Sequence, residues 1–215
     1  ICFNMDKVIN LGIPHVGELI FESVNTSGLI KFLEVSQTWK VLAENVLIKR
    51  WKGKMFQACN RGHIEIVKLL LKHSDNIDLN AKNNHGQTAF IGGCRYGRGK
   101  VVQFLLTDPS IEVNTQDDKG LTAFIWACNN GHKDVVKLLL DHSERIELNA
   151  RCNYGWTAFM WACNNGHKDV VKLLLDHSGR IKLNARDINR CTIALIGEKE
   201  IVQLLQKINS VKSVS

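Results

Sequence analysis

Apolar residues recur along this chain in two different rhythms. From about residue 51 onward, clusters such as Val135, Val136, Leu138, Leu139 and Leu140 fall at helical spacing among charged residues and would cover one broad face of a helix. The stretch GLTAFIWACNNGHKDVVKLLLDHSERIELNAR carries the whole pattern. Thr122 is placed to cap a short first helix with its side-chain oxygen, and Asn129, Asn130 and Gly131 end that helix. A second helix is predicted from about Lys133 to His142, after which an extended IELNAR leads into a turn. Before residue 51 the apolar residues gather differently: Leu19, Ile20 and Phe21, then Leu29, Ile30, Phe32, Leu33 and Val35, then Trp39, Val41 and Leu42, then Val46, Leu47, Ile48 and Trp51. This predicts three or four short helices, with Pro14 where the first begins and Thr26 and Ser27 as a cap for the second. The expected fold class is all-α.

The later rhythm is a repeat. Gly86, Gly120 and Gly155 each stand two residues before Thr-Ala-Phe, and Ala58, Gly93, Ala127 and Ala162 are spaced by 35, 34 and 35. Residues 126–143 and 161–178 are the same string, WACNNGHKDVVKLLLDHS, which points to a recent duplication of units 120–154 and 155–189. Units 51–85 and 86–119 precede them. A shorter unit, 190–209, keeps Thr192 and the Ile201, Val202, Leu204, Leu205 face but loses about four residues between its helices, as expected of a terminal cap. Helices below ~12–15 residues are marginal alone in water, so each pair must stack on the next. The organisation expected is an extension over 1–11, a short helical domain over 12–52, repeats over 53–209 and a tail over 210–215.

Composition narrows the classes. The 215 residues contain no apolar run near the ~18–20 that a membrane span needs, and the opening ICFNMDKVIN, with its charges, does not read as a signal peptide. The net charge is +7, of which the first 52 residues supply +1 (6 basic, 5 acidic) and the rest +6 (22 basic, 16 acidic). Lys and Arg alternate with Asp and Glu along the helices instead of forming a stripe, which reads as a solvated face and not a nucleic-acid surface. Seven cysteines without CxxC pairs point to a reducing compartment, cytosol or nucleus.

The recurring T-A-F-I-W-A-C-N-N-G-H, D-V-V-K-L-L-L and L-N-A resemble the ankyrin repeat, whose consensus has T-P-L-H-x-A near its start. The resemblance covers about three quarters of the chain and implies a solenoid that binds protein. Ala89, Ala123 and Ala158 stand where that family has Pro, and Ile91, Ile125 and Met160 where it has His, which puts the usual loop-bracing hydrogen bonds in question. One or two residues more than in the family's repeat are expected to lengthen the loops at His73-Ser74, His142-Ser143 and His177-Ser178.

Two chemical readings compete for the periodic Cys59, Cys94, Cys128 and Cys163 with His63, His132 and His167. Equivalent positions in stacked repeats lie about a helix diameter apart, ~10 Å, too far for four groups to meet one zinc ion. Packing and turn bracing are the expected roles, with no metal or cofactor, and no catalytic triad, G-x-G-x-x-G or H-E-x-x-H is present. The chain is not expected to be an enzyme.

Residues 12–52 resemble an F-box. Ile13-Pro14 matches its opening Leu-Pro, Leu29, Val35, Ser36 and Trp39 keep its L-x5-V-S-x-x-W spacing, and Leu42 and Trp51 continue the pattern. Gly17 inside the first helix and a stretch between Pro14 and Leu29 one residue short depart from it. The resemblance implies binding to the Skp-type adaptor, and through it the cullin, of a ubiquitin ligase, by Ile13, Pro14, Leu19, Ile20, Leu29, Leu33, Val35 and Trp39. A plain helical cap over the first repeat is the alternative. The combination with ankyrin repeats resembles proteins with which giant viruses and intracellular bacteria redirect host ligases.

By the same resemblance, Trp126 and Trp161 hold a first-helix position facing the concave groove, where other units carry Gln57, Gly92 and Ile196. Such Trp side chains would anchor a protein target of some acidic character; packing on the neighbouring repeat is the other placement open to them. The turn tips Asn84-His85, Asp118-Lys119, Asn153-Tyr154 and Ile188-Asn189 would add polar contacts, with Arg61, Arg95, Tyr96, Asn129, Asn130, Asn164 and Asn165 at the ends of the first helices.

Overall fold

A computed structural model describes residues 26–32, 37–51, 53–73 and 78–183, with a few positions between 188 and 206. Among the described residues all regular structure is helical. The chain divides into two compact units, residues 1–58 with 63–77, and residues 59–62 with 78–215.

In the first unit α1 (Thr26–Phe32) packs on α2 (Gln37–Trp51). The short helix α3 (Met55–Arg61) begins in this unit, and α4 (Ile64–His73) packs on α2. Leu29, Leu47, Ile66 and Leu70 are fully buried and form the centre of the core, with Trp51 edge-on to His63 at 5.3 Å between ring centroids.

The second unit holds three complete helix pairs: α5 (Ala89–Arg95) with α6 (Gly99–Leu106), α7 (Ala123–Asn129) with α8 (Lys133–Asp141), and α9 (Ala158–Asn164) with α10 (Lys168–Asp176). First helices pack side by side and second helices do the same. Each first helix starts on a buried threonine whose hydroxyl accepts the N–H three residues on: Thr88 from Ile91, Thr122 from Ile125 and Thr157 from Met160. Ile91, Ile125 and Met160 are themselves buried, so they fill the core where the family's His would brace a loop. Each second helix buries the periodic face; Leu139 and Leu174 are fully enclosed.

Three devices tie one repeat to the next, and each explains a recurring letter. The asparagines of Leu79-Asn80, Val113-Asn114 and Leu148-Asn149 clamp the backbone of the following loop. Asn114 donates to Arg145 O at 2.8 Å and accepts from Glu147 N–H at 2.8 Å, and Asn80 and Asn149 do the same one unit before and after. The histidine of Gly-His donates from Nε2 to a carbonyl of the preceding repeat, His132 to Arg95 O and His167 to Asn129 O, each at 2.9 Å. It lies on the glycine of that preceding repeat, so a Cβ on Gly131, at φ 72°, would stand 2.5 Å from His167 Nδ1. Arg145, in the loop lengthened beyond the family's repeat, donates to Leu106 O, Asp108 O and Ile111 O and thereby closes the end of α6.

Candidate functional site

The turns that lead into α7 and α9, together with those helices, enclose a cleft of about 430 Å³ lined by Lys119, Leu121, Trp126, Asn129, Tyr154, Trp156 and Trp161. The local sequence dictates why these side chains meet. A glycine with positive φ, Gly120 or Gly155, ends each turn; the next residue leads into the threonine cap, and the helix position four beyond that cap points back over the turn. Trp126 and Trp161 therefore come from matching places in adjacent helices, and Leu121 and Trp156 from matching places beside the glycines.

Trp126 is half-buried and held on two sides. Its indole N–H donates to Asp117 Oδ2 at 2.9 Å, and the Arg95 guanidinium lies 4.2 Å from its ring centroid. Asp117 is buried but fully used: Oδ2 also accepts from Gln87, and Oδ1 accepts the backbone N–H groups of Lys119 and Leu121, bracing the turn. Arg95 reaches the same network through Gln87 Oε1 at 3.2 Å. Trp161 is half-buried too and tilts against Trp156, with 4.7 Å between ring centroids. Its indole N–H is buried and lacks a hydrogen-bond partner among the described residues, because Cys152 stands where the preceding repeat has Asp117.

The groove residues expected from the sequence divide into those that meet at the cleft and those that do not. Lys119, Trp126, Asn129, Tyr154 and Trp161 line it, and Tyr154 is 65% exposed at its lip. Arg95 stands behind Trp126, and Tyr96 is exposed beside Arg95. Asn130, Asn153 and Asn165, expected as adaptable contacts to a target, also tie the repeats to each other. Their amides donate to Arg95 O, Asp118 O and Asn129 O of the neighbouring repeat. Asp118 packs over Gly86, Asn164 donates to Asn165, and Ile188 is buried instead of lying at an open turn tip. Trp156, Leu121, Asp117 and Gln87 were missed. Their signal was the variable residue after each glycine, Gln87, Leu121 and Trp156, inside an otherwise constant G-x-T-A-F.

Of the residues assigned to adaptor binding, Ile13, Pro14, Leu19, Ile20, Leu33 and Val35 lie outside the described residues, as does the side chain of Trp39. Leu29 is a correction: it is completely buried between α1 and α2, so its side chain belongs to the unit's own core and not to a partner-facing patch. Val41 of α2 is exposed.

The periodic thiols carry no chemistry at this site. Cys59, Cys94, Cys128 and Cys152 are free and buried. Burial pushes the Cys59 thiol up to about 12 and raises Cys128 and Cys94, the last also through its neighbours Cys59 and Cys128. Cys59, Cys94 and Cys128 therefore stay protonated and unreactive. Cys163 differs from the expectation of reduced thiols throughout, because it is disulfide-bonded, with its partner outside the described residues. Among the described residues there is no group of three or more His, Cys, Asp or Glu able to hold a metal, and no helix long and apolar enough to cross a membrane.

Residues 44–117 and 107–187 match the family model for ankyrin repeats in three copies. The chain is 51% identical over 49 residues to the E3 ubiquitin-protein ligase XBAT33 of Arabidopsis thaliana, covering 23% of this chain and 9% of that protein. It is 30% identical over 97 residues to the probable E3 ubiquitin-protein ligase XBOS33 of Oryza sativa subsp. japonica, covering 45% of this chain and 18% of that protein. The chain thus spans less than a fifth of the length of either relative.

Proposed function

Because this chain belongs to the ankyrin-repeat family, whose stacked helix pairs serve protein–protein interaction, we propose that its repeats capture a target protein for ubiquitination. In this reading the chain is a non-catalytic recruiting subunit of an SCF-type cullin–RING ligase. The observation that carries target capture is the aromatic cleft. Two matching helices present Trp126 and Trp161 side by side, flanked by Trp156 and Tyr154, on a scaffold braced by inter-repeat hydrogen bonds. Large aromatic side chains on a rigid surface are the usual anchors of a protein interface. The link to ubiquitination is supported by the names of the relatives that share the repeats and by the F-box-like spacing of Ile13, Pro14, Leu29, Val35 and Trp39.

Affinity purification of the full chain tests both halves. The wild type should bring down a Skp-type adaptor with its cullin, and a target that is ubiquitinated when ligase components are added. The double variant Pro14→Ala, Leu19→Ala should lose adaptor and cullin and keep the target. The double variant Tyr154→Ala, Trp156→Ala should do the reverse. Capture of a target without adaptor or cullin by the wild type would instead establish a scaffold that blocks or tethers its partner.

A further inference from the structure

The chemistry of the cleft restricts what can fill it. Three indoles, Leu121 and the Tyr154 phenol make apolar walls around a volume that suits a few side chains. An aromatic enclosure of this kind can attract a cation, but here the charges oppose one. Arg95 already covers the Trp126 ring at 4.2 Å, and Lys119 is the charged residue among the cleft's lining. Among the described residues no carboxylate lines it: both oxygens of Asp117 are taken up by donors behind the wall, and Asp118 packs over Gly86. Lys119 is exposed and has no ion pair among the described residues. Its ammonium is therefore unpaired at the mouth, within a stretch, residues 53–215, whose net charge with Lys119 included is +6 (22 basic, 16 acidic).

Resting on the target-capture reading above, we propose that the cleft takes an extended segment of the target in which a large apolar side chain lies next to an aspartate or glutamate. The apolar side chain enters between Trp126, Trp156 and Trp161, which displaces water from surfaces that offer it few hydrogen bonds. The carboxylate meets Lys119 at the rim. There the pair stays solvated, so it contributes selectivity more than affinity and weakens with salt.

The test uses the full chain and short acetylated peptides that differ only in a central pair: Phe-Asp, Phe-Lys or Ala-Asp. Binding is read by the fluorescence of the cleft tryptophans and by calorimetry at low salt. Phe-Asp should bind best, with the other two weaker by about tenfold. Lys119→Glu should bring Phe-Lys above Phe-Asp, and Lys119→Arg should keep the original order. Equal binding of the three peptides, an order unchanged by Lys119→Glu, or no binding of Phe-Asp would each overturn the proposal. The two readings fail separately. If Tyr154→Ala, Trp156→Ala abolishes capture of the whole target while the peptides show no preference, the cleft's role stands and the proposed occupant falls. If the peptides rank as expected but target capture ignores that double variant, the occupant chemistry holds and the capture reading falls.

Discussion

The third and fourth repeats contain the same eighteen-residue string, 126–143 and 161–178, yet its residues meet different surroundings. Trp126 donates to Asp117 and lies under Arg95; Trp161, with Cys152 in the acceptor's place, keeps a buried N–H without a partner. Cys128 is free and Cys163 is disulfide-bonded. Just beyond the string, Arg145 is held by Leu106 O, Asp108 O and Ile111 O, whereas Arg180 reaches Leu140 O and Ser143 Oγ. In a solenoid each repeat supplies the environment of the next. Identical helices are therefore equal in what they bury and unequal in what they bond.

The largest effect should fall on what the copies share. Leu139→Ala and Leu174→Ala should each cost about 2–5 kcal/mol, since both side chains are fully enclosed, and urea unfolding would measure it. A midpoint unmoved by either change would mean that the equality of the two cores is wrong.

The indoles should separate the copies. Trp126→Phe removes a hydrogen bond to a carboxylate and should cost about 1.5–3 kcal/mol, while Trp161→Phe removes a donor that has no acceptor and should stay within about 0.5 kcal/mol. Equal losses in a thermal melt would contradict the contrast. The converse change, Cys152→Asp, copies Asp117 into the fourth repeat and offers an acceptor both to Trp161 and to the turn. It should stabilise by about 1 kcal/mol, and destabilisation would show that the fourth-repeat pocket cannot hold the charge.

The smallest effect distinguishes the loops. Asp108 stands two residues beyond Leu106, the place that His142 takes beyond Leu140 one repeat later. Hydrogen bonds from the Ser110 hydroxyl and N–H, with the nearby Arg145, hold its carboxyl below the usual carboxylate range. A group with a lower pKa folded than unfolded contributes stability above its unfolded value and loses it as the pH falls through the folded one. Stability should thus decline slightly below pH ~4, and Asp108→Ser should flatten that decline in an acid titration of the urea midpoint. An unchanged acid limb would remove Asp108 from the account.

How much was legible follows the range of each interaction. The threonine caps, the ends of the first helices at Asn129 and Asn164, and the buried second-helix faces were readable because they depend on neighbours within a turn or two. Leu29 was misplaced because a motif spacing records a residue's position in the chain and not which way its side chain faces. Asn130, Asn153 and Asn165 looked like free contacts because an exposed amide gives no local sign that a carbonyl about 35 residues away has claimed it.

The sequence by itself determined the repeat register, the helix pairs and the meeting of matching first-helix positions. A period of 34 or 35 residues with caps at constant places leaves short helices one way to bury their apolar faces, against the next copy. Only the tertiary structure decided that Trp156 joins Trp126 and Trp161 in one cleft, that Arg95 and Asp117 lock one indole while the other has no hydrogen-bond partner among the described residues, and that Lys119 stands at the rim with no ion pair among them. Those outcomes depend on contacts between repeats, where one substitution, Cys152 for the Asp117 of the preceding unit, changes the partners of a helix whose own letters are identical.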